Sequence, residues 1–178
     1  MKSHFPVSAA LFLASTIYTP AADWPNWMGP DRNGLSREII PDNVTINAPE
    51  WKAEVGIGFS SISFANGSVY TMGHRDGKET VWKLSAESGE VEGQYTYTAE
   101  LMPNLHEGGP GSTPTVADGR VYTISKDGLF HVFDEDLSEV IFKKDVMEVS
   151  GLNKVPEWGF SASPVIMGEL VLVEAGAT

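Results

Sequence analysis

The chain has 178 residues, 42% of them hydrophobic, enough for one globular domain with a core of its own. Its formal net charge of −12, with no basic cluster, excludes a nucleic-acid footprint and makes acidic membranes poor partners, because phosphate binding needs concentrated Lys and Arg. The absence of cysteine excludes disulfides, thiolate metal ligands, a cysteine nucleophile and a lipoprotein cysteine within these residues.

At the N-terminus Lys2 and His4 precede an apolar run over residues 5–17, followed by Pro20, Ala21 and Ala22. That order predicts a secretory signal peptide over residues 1–22, with cleavage near Ala22 and a soluble exported product in the periplasm or outside the cell. The run is too short to span a bilayer, which takes about 20 apolar residues, and no later segment qualifies. Residues 23–49 follow as a loop and connector that opens on Asp23-Trp24-Pro25-Asn26-Trp27-Met28-Gly29-Pro30, two tryptophans among turn formers. These rings are expected to plug an edge or end of the domain. Residues 50–55, containing Trp51, alternate as a strand does.

From there the sequence repeats itself. The stretch Ser61-Ile62-Ser63-Phe64-Ala65-Asn66-Gly67-Ser68-Val69-Tyr70-Thr71 returns as Thr113-Pro114-Thr115-Val116-Ala117-Asp118-Gly119-Arg120-Val121-Tyr122-Thr123, and more weakly from Ser163, with glycines at 67, 119 and 168. The first copy parses into strands at 60–65, 68–73, 79–85 and 90–96, and the second into 113–117, 120–125, 128–134 and 139–145. Asn66-Gly67, Asp76-Gly77, Asp118-Gly119 and Asp127-Gly128 join them, dipeptides that accept the positive φ of tight hairpins. Each repeat is thus an antiparallel four-stranded meander, apolar on both faces, and must be covered by copies of itself. Radial stacking meets that demand, so an all-β fold is expected: a β-propeller with four-stranded antiparallel blades over residues 50–178. Its blades fall near 60–97 and 112–146, with an incomplete one at 161–178. A β-sandwich is the alternative, but it gives no reason for a recurring interval. Residues 50–55 read as the closing strand of a further blade. At about 50 residues per blade, a ring of up to eight blades takes roughly 300 to 400 residues, so the reading is of the N-terminal part of a longer protein.

The repeat resembles the pyrroloquinoline-quinone (PQQ) repeat, whose strands and turns have counterparts in Pro114-Thr115-Val116, Gly119-Arg120-Val121-Tyr122, Phe133-Asp134-Glu135 and Ser138-Glu139-Val140-Ile141-Phe142, and in Leu84-Ser85-Ala86-Glu87-Ser88-Gly89-Glu90-Val91. The Trp24 segment, Arg75-Asp76-Gly77-Lys78, Glu107-Gly108-Gly109-Pro110 and Trp158-Gly159-Phe160-Ser161 are similar to exported proteins of this class. The tryptophan that ends each family repeat and docks between blades is kept at Trp51 but is Gly93 in the first copy and Phe142 in the second. Tyr95 and Tyr97 are expected to compensate. The resemblance brings PQQ and calcium into view as cofactors, yet it assigns no residue here to either. The vicinal cysteine pair of quinoprotein alcohol dehydrogenases has no counterpart in these residues.

Other motifs carry less. Gly56-Ile57-Gly58 lacks the third glycine and the helix of a dinucleotide loop, and Gly159-Phe160-Ser161-Ala162-Ser163 is not a nucleophile elbow. His106 and Glu107, in the loop entering an innermost strand, are the candidate channel-rim ligand contacts. His74, Arg75 and His131 read as structural or solvated, and Asp134-Glu135-Asp136 as an acidic turn. No catalytic or metal-binding residue is assigned. The function expected is a binding or assembly scaffold for a protein or carbohydrate partner. The alternative is a PQQ- and calcium-dependent quinoprotein dehydrogenase oxidising alcohols or sugars.

Overall fold

The computed structural model describes residues 21–40, 42–45, 48–102 and 106–176. The expected leader, apart from Ala21 and Ala22, lies outside the described residues, as does Leu105. Two four-stranded antiparallel meanders form: β1 (Ser63–Ala65), β2 (Ser68–Arg75), β3 (Lys78–Ser85) and β4 (Val91–Thr98), then β5 (Thr115–Ala117), β6 (Arg120–Ile124), β7 (Leu129–Asp134) and β8 (Val140–Asp145). The hairpin of β9 (Val165–Met167) and β10 (Leu170–Leu172) starts a third sheet. Between β8 and β9 a single turn of helix, α1 (Val146–Ser150), is capped by the Asp145 carboxylate at one end and by Gly151 at φ 70° at the other.

The hairpin dipeptides do what their chemistry allows. Asn66-Gly67, Asp76-Gly77 and Asp118-Gly119 all take positive φ at both residues, the geometry that matches strand twist. Asp127-Gly128 differs from expectation. Here only Gly128 is left-handed, and Ser125 closes a longer turn by accepting the Gly128 amide on its carbonyl while its hydroxyl accepts the Leu129 amide.

Successive sheets meet at their first strands, β1 beside β5 and β5 beside β9, so these edges gather toward a common centre. The repeat period reappears there as hydrogen bonding. The Ser61 amide donates to Thr113 Oγ1 at 3.3 Å, and the Thr113 amide donates to Ser163 Oγ at 2.9 Å. One step along, Ser63 Oγ donates to the Pro114 carbonyl and Thr115 Oγ1 to the Pro164 carbonyl at 2.7 Å. Each hydroxyl thus bridges from one repeat to the same place in the next. Thr115→Val, which keeps the shape and removes the hydroxyl, strands a buried carbonyl and is expected to cost about 1–3 kcal/mol, read as a lower urea midpoint. Thr115→Ser is expected to keep most of that stability; equal midpoints for the valine and wild-type proteins would show the bridge contributes nothing.

The tryptophan-rich loop covers these same inner edges. Trp24 exchanges two backbone bonds with Phe64 (2.8 and 2.9 Å), Pro25 accepts from the Val116 amide at 2.8 Å, and Arg32 Nη2 donates to the Ile166 carbonyl at 2.7 Å. Phe64, Val116 and Ile166 occupy one position of the repeat, so the loop is a strap across three consecutive sheets. Its turn folds tightly over the Trp24 ring, where any side chain at Gly29 would strike the indole at 2.7 Å.

Residues 50–55 form no ladder among the described residues. Trp51 nevertheless docks: its Nε1 donates to the Ala86 carbonyl at 2.9 Å, and its ring leaves no room for a Cβ on Gly89. The equivalent place in the next repeat is filled differently. At Gly93 a Cβ would lie 2.3 Å from the Asp136 carbonyl, so the facing turn has closed onto the bare backbone. Leu137, held at φ 59° and only 2% exposed, packs into the core between the two sheets with Ala65, Tyr70, Met72, Val81 and Phe133. Tyr95 and Tyr97 pack against the same cluster, as compensation for the lost tryptophan requires. A second cluster of Tyr122, Phe130 and Val132 lies between the second sheet and the third hairpin, packed by Ile166 and Val173.

Candidate functional site

The connection from β4 to β5 is held against the segment before β1 by close backbone contact. The Phe59 amide donates to the Pro110 carbonyl at 2.7 Å, and Gly109 approaches Ile57 so closely that a Cβ would sit 2.3 Å from its carbonyl. This fixes His106 between two aromatic side chains. Its ring meets Phe59 edge-on at 4.7 Å and stacks on Trp158 at 5.8 Å with 22° between planes. Nδ1 accepts the Gly108 amide at 3.0 Å, which leaves Nε2 to carry the proton in the neutral ring. His106 is half-buried and Glu107 is exposed.

Beside this stack runs an open groove of about 580 Å³ walled by Trp27 and Phe59, with Thr113, Ser161, Ser163 and Glu174 among its lining. An adjoining cleft shares Ser161, Ala162 and Glu174 and adds Trp158 and Phe160. Trp27, Phe59 and Trp158 expose 56%, 54% and 48% of their surface, a high fraction for rings of this size. Sequence reasoning singled out His106 and Glu107 and did not group these rings, because they come from the strap, from the approach to β1 and from the approach to β9. The one available signal was an aromatic beside glycine ahead of two inner strands, in Gly58-Phe59 and Trp158-Gly159.

The remaining singled-out side chains lie elsewhere. His74 is buried, with Nε2 2.9 Å from the Ala99 carbonyl. Asp134 closes its own turn by accepting from Ser138 Oγ and the Glu139 amide, and Asp136 pairs with Lys83 at 2.6 Å. Among the described residues no three of His, Asp or Glu come close enough to hold a metal ion. The described residues therefore do not by themselves assemble a carboxylate set of the kind a calcium-bridged quinone requires.

Two buried titratable groups join the first sheet to the second. Glu79 on β3 accepts from Tyr97 OH at 2.8 Å and from the Lys126 amide at 3.2 Å, and burial raises its pKa. His131 on β7 lies against Phe133 at 5.3 Å and Tyr97 at 4.8 Å. Burial, with Lys143 adding to it, pushes its pKa down to about 4. Both belong to the packing between sheets and neither opens onto the groove.

Neither protein-family models nor curated proteins match the chain. Among solved structures it resembles a europium-containing methanol dehydrogenase, at 13% identity and a TM-score of 0.50 over 69% of this chain and 21% of that one. It also resembles a quinohemoprotein alcohol dehydrogenase from Pseudomonas putida HK5, at 15% identity and a TM-score of 0.50 over 68% of this chain and 17% of that one. BamB from Moraxella catarrhalis overlaps at 14% identity and a TM-score of 0.36, over 65% of this chain and 45% of that one. The chain thus spans about a fifth of the length of the two dehydrogenases. With the inner-strand geometry, the likeness to those two shows the fold: a β-propeller of four-stranded antiparallel blades, two complete and the first hairpin of a third among the described residues.

Proposed function

We propose that this is an exported PQQ-repeat propeller protein that works as a binding or assembly scaffold, offering the groove beside His106 and Glu107 to a protein or carbohydrate partner. One observation carries the reading: three large rings stay about half exposed at the approach to the inner strands, Trp27 and Phe59 along the groove and Trp158 in the adjoining cleft, with His106 packed between Phe59 and Trp158. Rings fixed in this way lose little conformational entropy on binding. His106 lies between Phe59 and Trp158, and Glu107, the residue after it, is exposed.

Site-directed photo-crosslinking tests this. With benzoylphenylalanine at position 59 or 158 of the full-length protein in its native host, discrete adducts are expected. The same probe at Thr96, on the outer strand β4, is expected to give none. Adducts at 96 alone, or equal labelling at all three positions, would refute the assignment of the binding surface.

A further inference from the structure

The lining of the groove and its adjoining cleft combines two chemistries. The faces of Trp27, Phe59 and Trp158 are apolar and carry negative π charge, which suits the slightly positive C–H face of a pyranose ring. Between them lie groups suited to sugar hydroxyls. Ser163 Oγ accepts the Thr113 amide and keeps its proton to donate. Ser161 Oγ donates to the Trp158 carbonyl at 3.3 Å and keeps lone pairs to accept. Glu174 is exposed and accepts. Aliphatic side chains seated here would pack on Val165, Leu172 and Val173 but leave the remaining hydrogen-bonding capacity of Ser161, Ser163 and Glu174 unused, a cost that falls on each polar group removed from water.

Charge narrows the class further. Glu174 is the one charged side chain among the described residues lining the two clefts, Glu107 next to His106 in the chain is exposed, and the whole chain carries a net charge of −12. An acidic glycan would be repelled on every count. The two clefts also share Ser161, Ala162 and Glu174 as walls and are open to solvent, which suits an internal stretch of a chain. Resting on the scaffold reading above, we propose that the groove takes a neutral polysaccharide, its sugar rings lying on Trp27, Phe59 and Trp158 and its hydroxyls paired by Ser161, Ser163 and Glu174.

Native affinity electrophoresis of the full-length protein tests this, with hydroxyethyl cellulose, xyloglucan, galactomannan or dextran cast in the gel and polygalacturonate as the acidic control. Retardation is expected in at least one neutral polymer and not in polygalacturonate. Phe59→Ala and Trp158→Ala are each expected to weaken that retardation by about tenfold in apparent affinity, the loss of one good stacking contact. Trp27→Ala, on the separate strap, supplies a third variant should one of these fail to fold, and thermal melting monitors folding throughout. No retardation by any neutral polymer, stronger retardation by polygalacturonate, or undiminished binding in all folded variants would overturn the proposal. If no polymer binds while the probe at position 59 still captures a defined protein partner, the saccharide assignment fails and the scaffold reading stands.

Discussion

Replacing Gly93 by tryptophan is expected to destabilise the protein by about 3 kcal/mol, although the substitution restores the residue that the repeat pattern calls for. The tryptophan at position 51 works because Ala86 and Gly89 accept it, one by a hydrogen bond and the other by having no side chain. Position 93 has no such partner. The turn it faces has moved in until the Asp136 carbonyl lies where a Cβ would be, and Leu137 occupies the buried volume nearby in a left-handed conformation that a leucine adopts only under constraint. A methyl group alone is therefore expected to be felt, with Gly93→Ala costing about 2 kcal/mol. Urea denaturation of the two variants checks both figures. A tryptophan variant as stable as the wild type, or more so, would show that the second blade reopens without cost.

The second large effect is on pH dependence, where the two buried groups act in opposite directions. His131 is neutral in the fold, with its pKa pushed down to about 4, and protonates near 6.5 once unfolded. The stability it contributes is complete above pH 6.5 and is lost as pH falls toward 4, about 3 kcal/mol in all. Glu79 has a raised pKa, so its contribution is complete below its ordinary value of 4.5 and is lost as pH rises through the raised one. Other groups bearing on the pair are Lys143 and Asp127 beside His131, and His74, Asp127, Tyr97 and the Lys126 amide beside Glu79. His131→Phe preserves the aromatic stack and is expected to remove the acid loss, leaving stability that declines with rising pH. Glu79→Gln is expected to do the reverse, with the Tyr97 hydroxyl turning to accept from the new amide. Denaturation midpoints measured from pH 4 to pH 7 separate the two; parallel profiles for both variants would remove these groups from the account.

What the sequence makes legible is the local and the periodic. Asn66-Gly67 and Asp118-Gly119 announce their hairpins because only such residues take two successive positive φ values at low cost. The interval between the glycines becomes a physical object, since Thr113 Oγ1 receives the Ser61 amide and Ser163 Oγ receives the Thr113 amide, each one repeat on. Even buried Glu79 leaves a trace. It shares a strand face with Val81, which is core, so a charge in that alternation points to a partnered carboxylate. The closing of the second blade onto Gly93 leaves none, because it depends on Asp136 and Leu137 across the sheet boundary. Nor does the site: Trp27, Phe59 and Trp158 meet only after the strap and two inner-strand approaches are in place, and no local pattern records that meeting. The Asp127-Gly128 turn shows a smaller version of the same limit, since the Ser125 hydroxyl redirects a dipeptide that suits two turn types.

The strap makes one further point about the centre of the propeller. It lies across the inner edges of β1, β5 and β9, hydrogen-bonded at Phe64, Val116 and Ile166. A binding scaffold and a quinone-dependent dehydrogenase of the same fold make opposite demands on that centre. The decisive measurement is dye-linked oxidation by the purified full-length protein, supplied with PQQ and Ca²⁺ and offered a panel of alcohols and sugars. The account predicts no turnover and no saturable PQQ binding, while turnover that rises and saturates with added PQQ would contradict it.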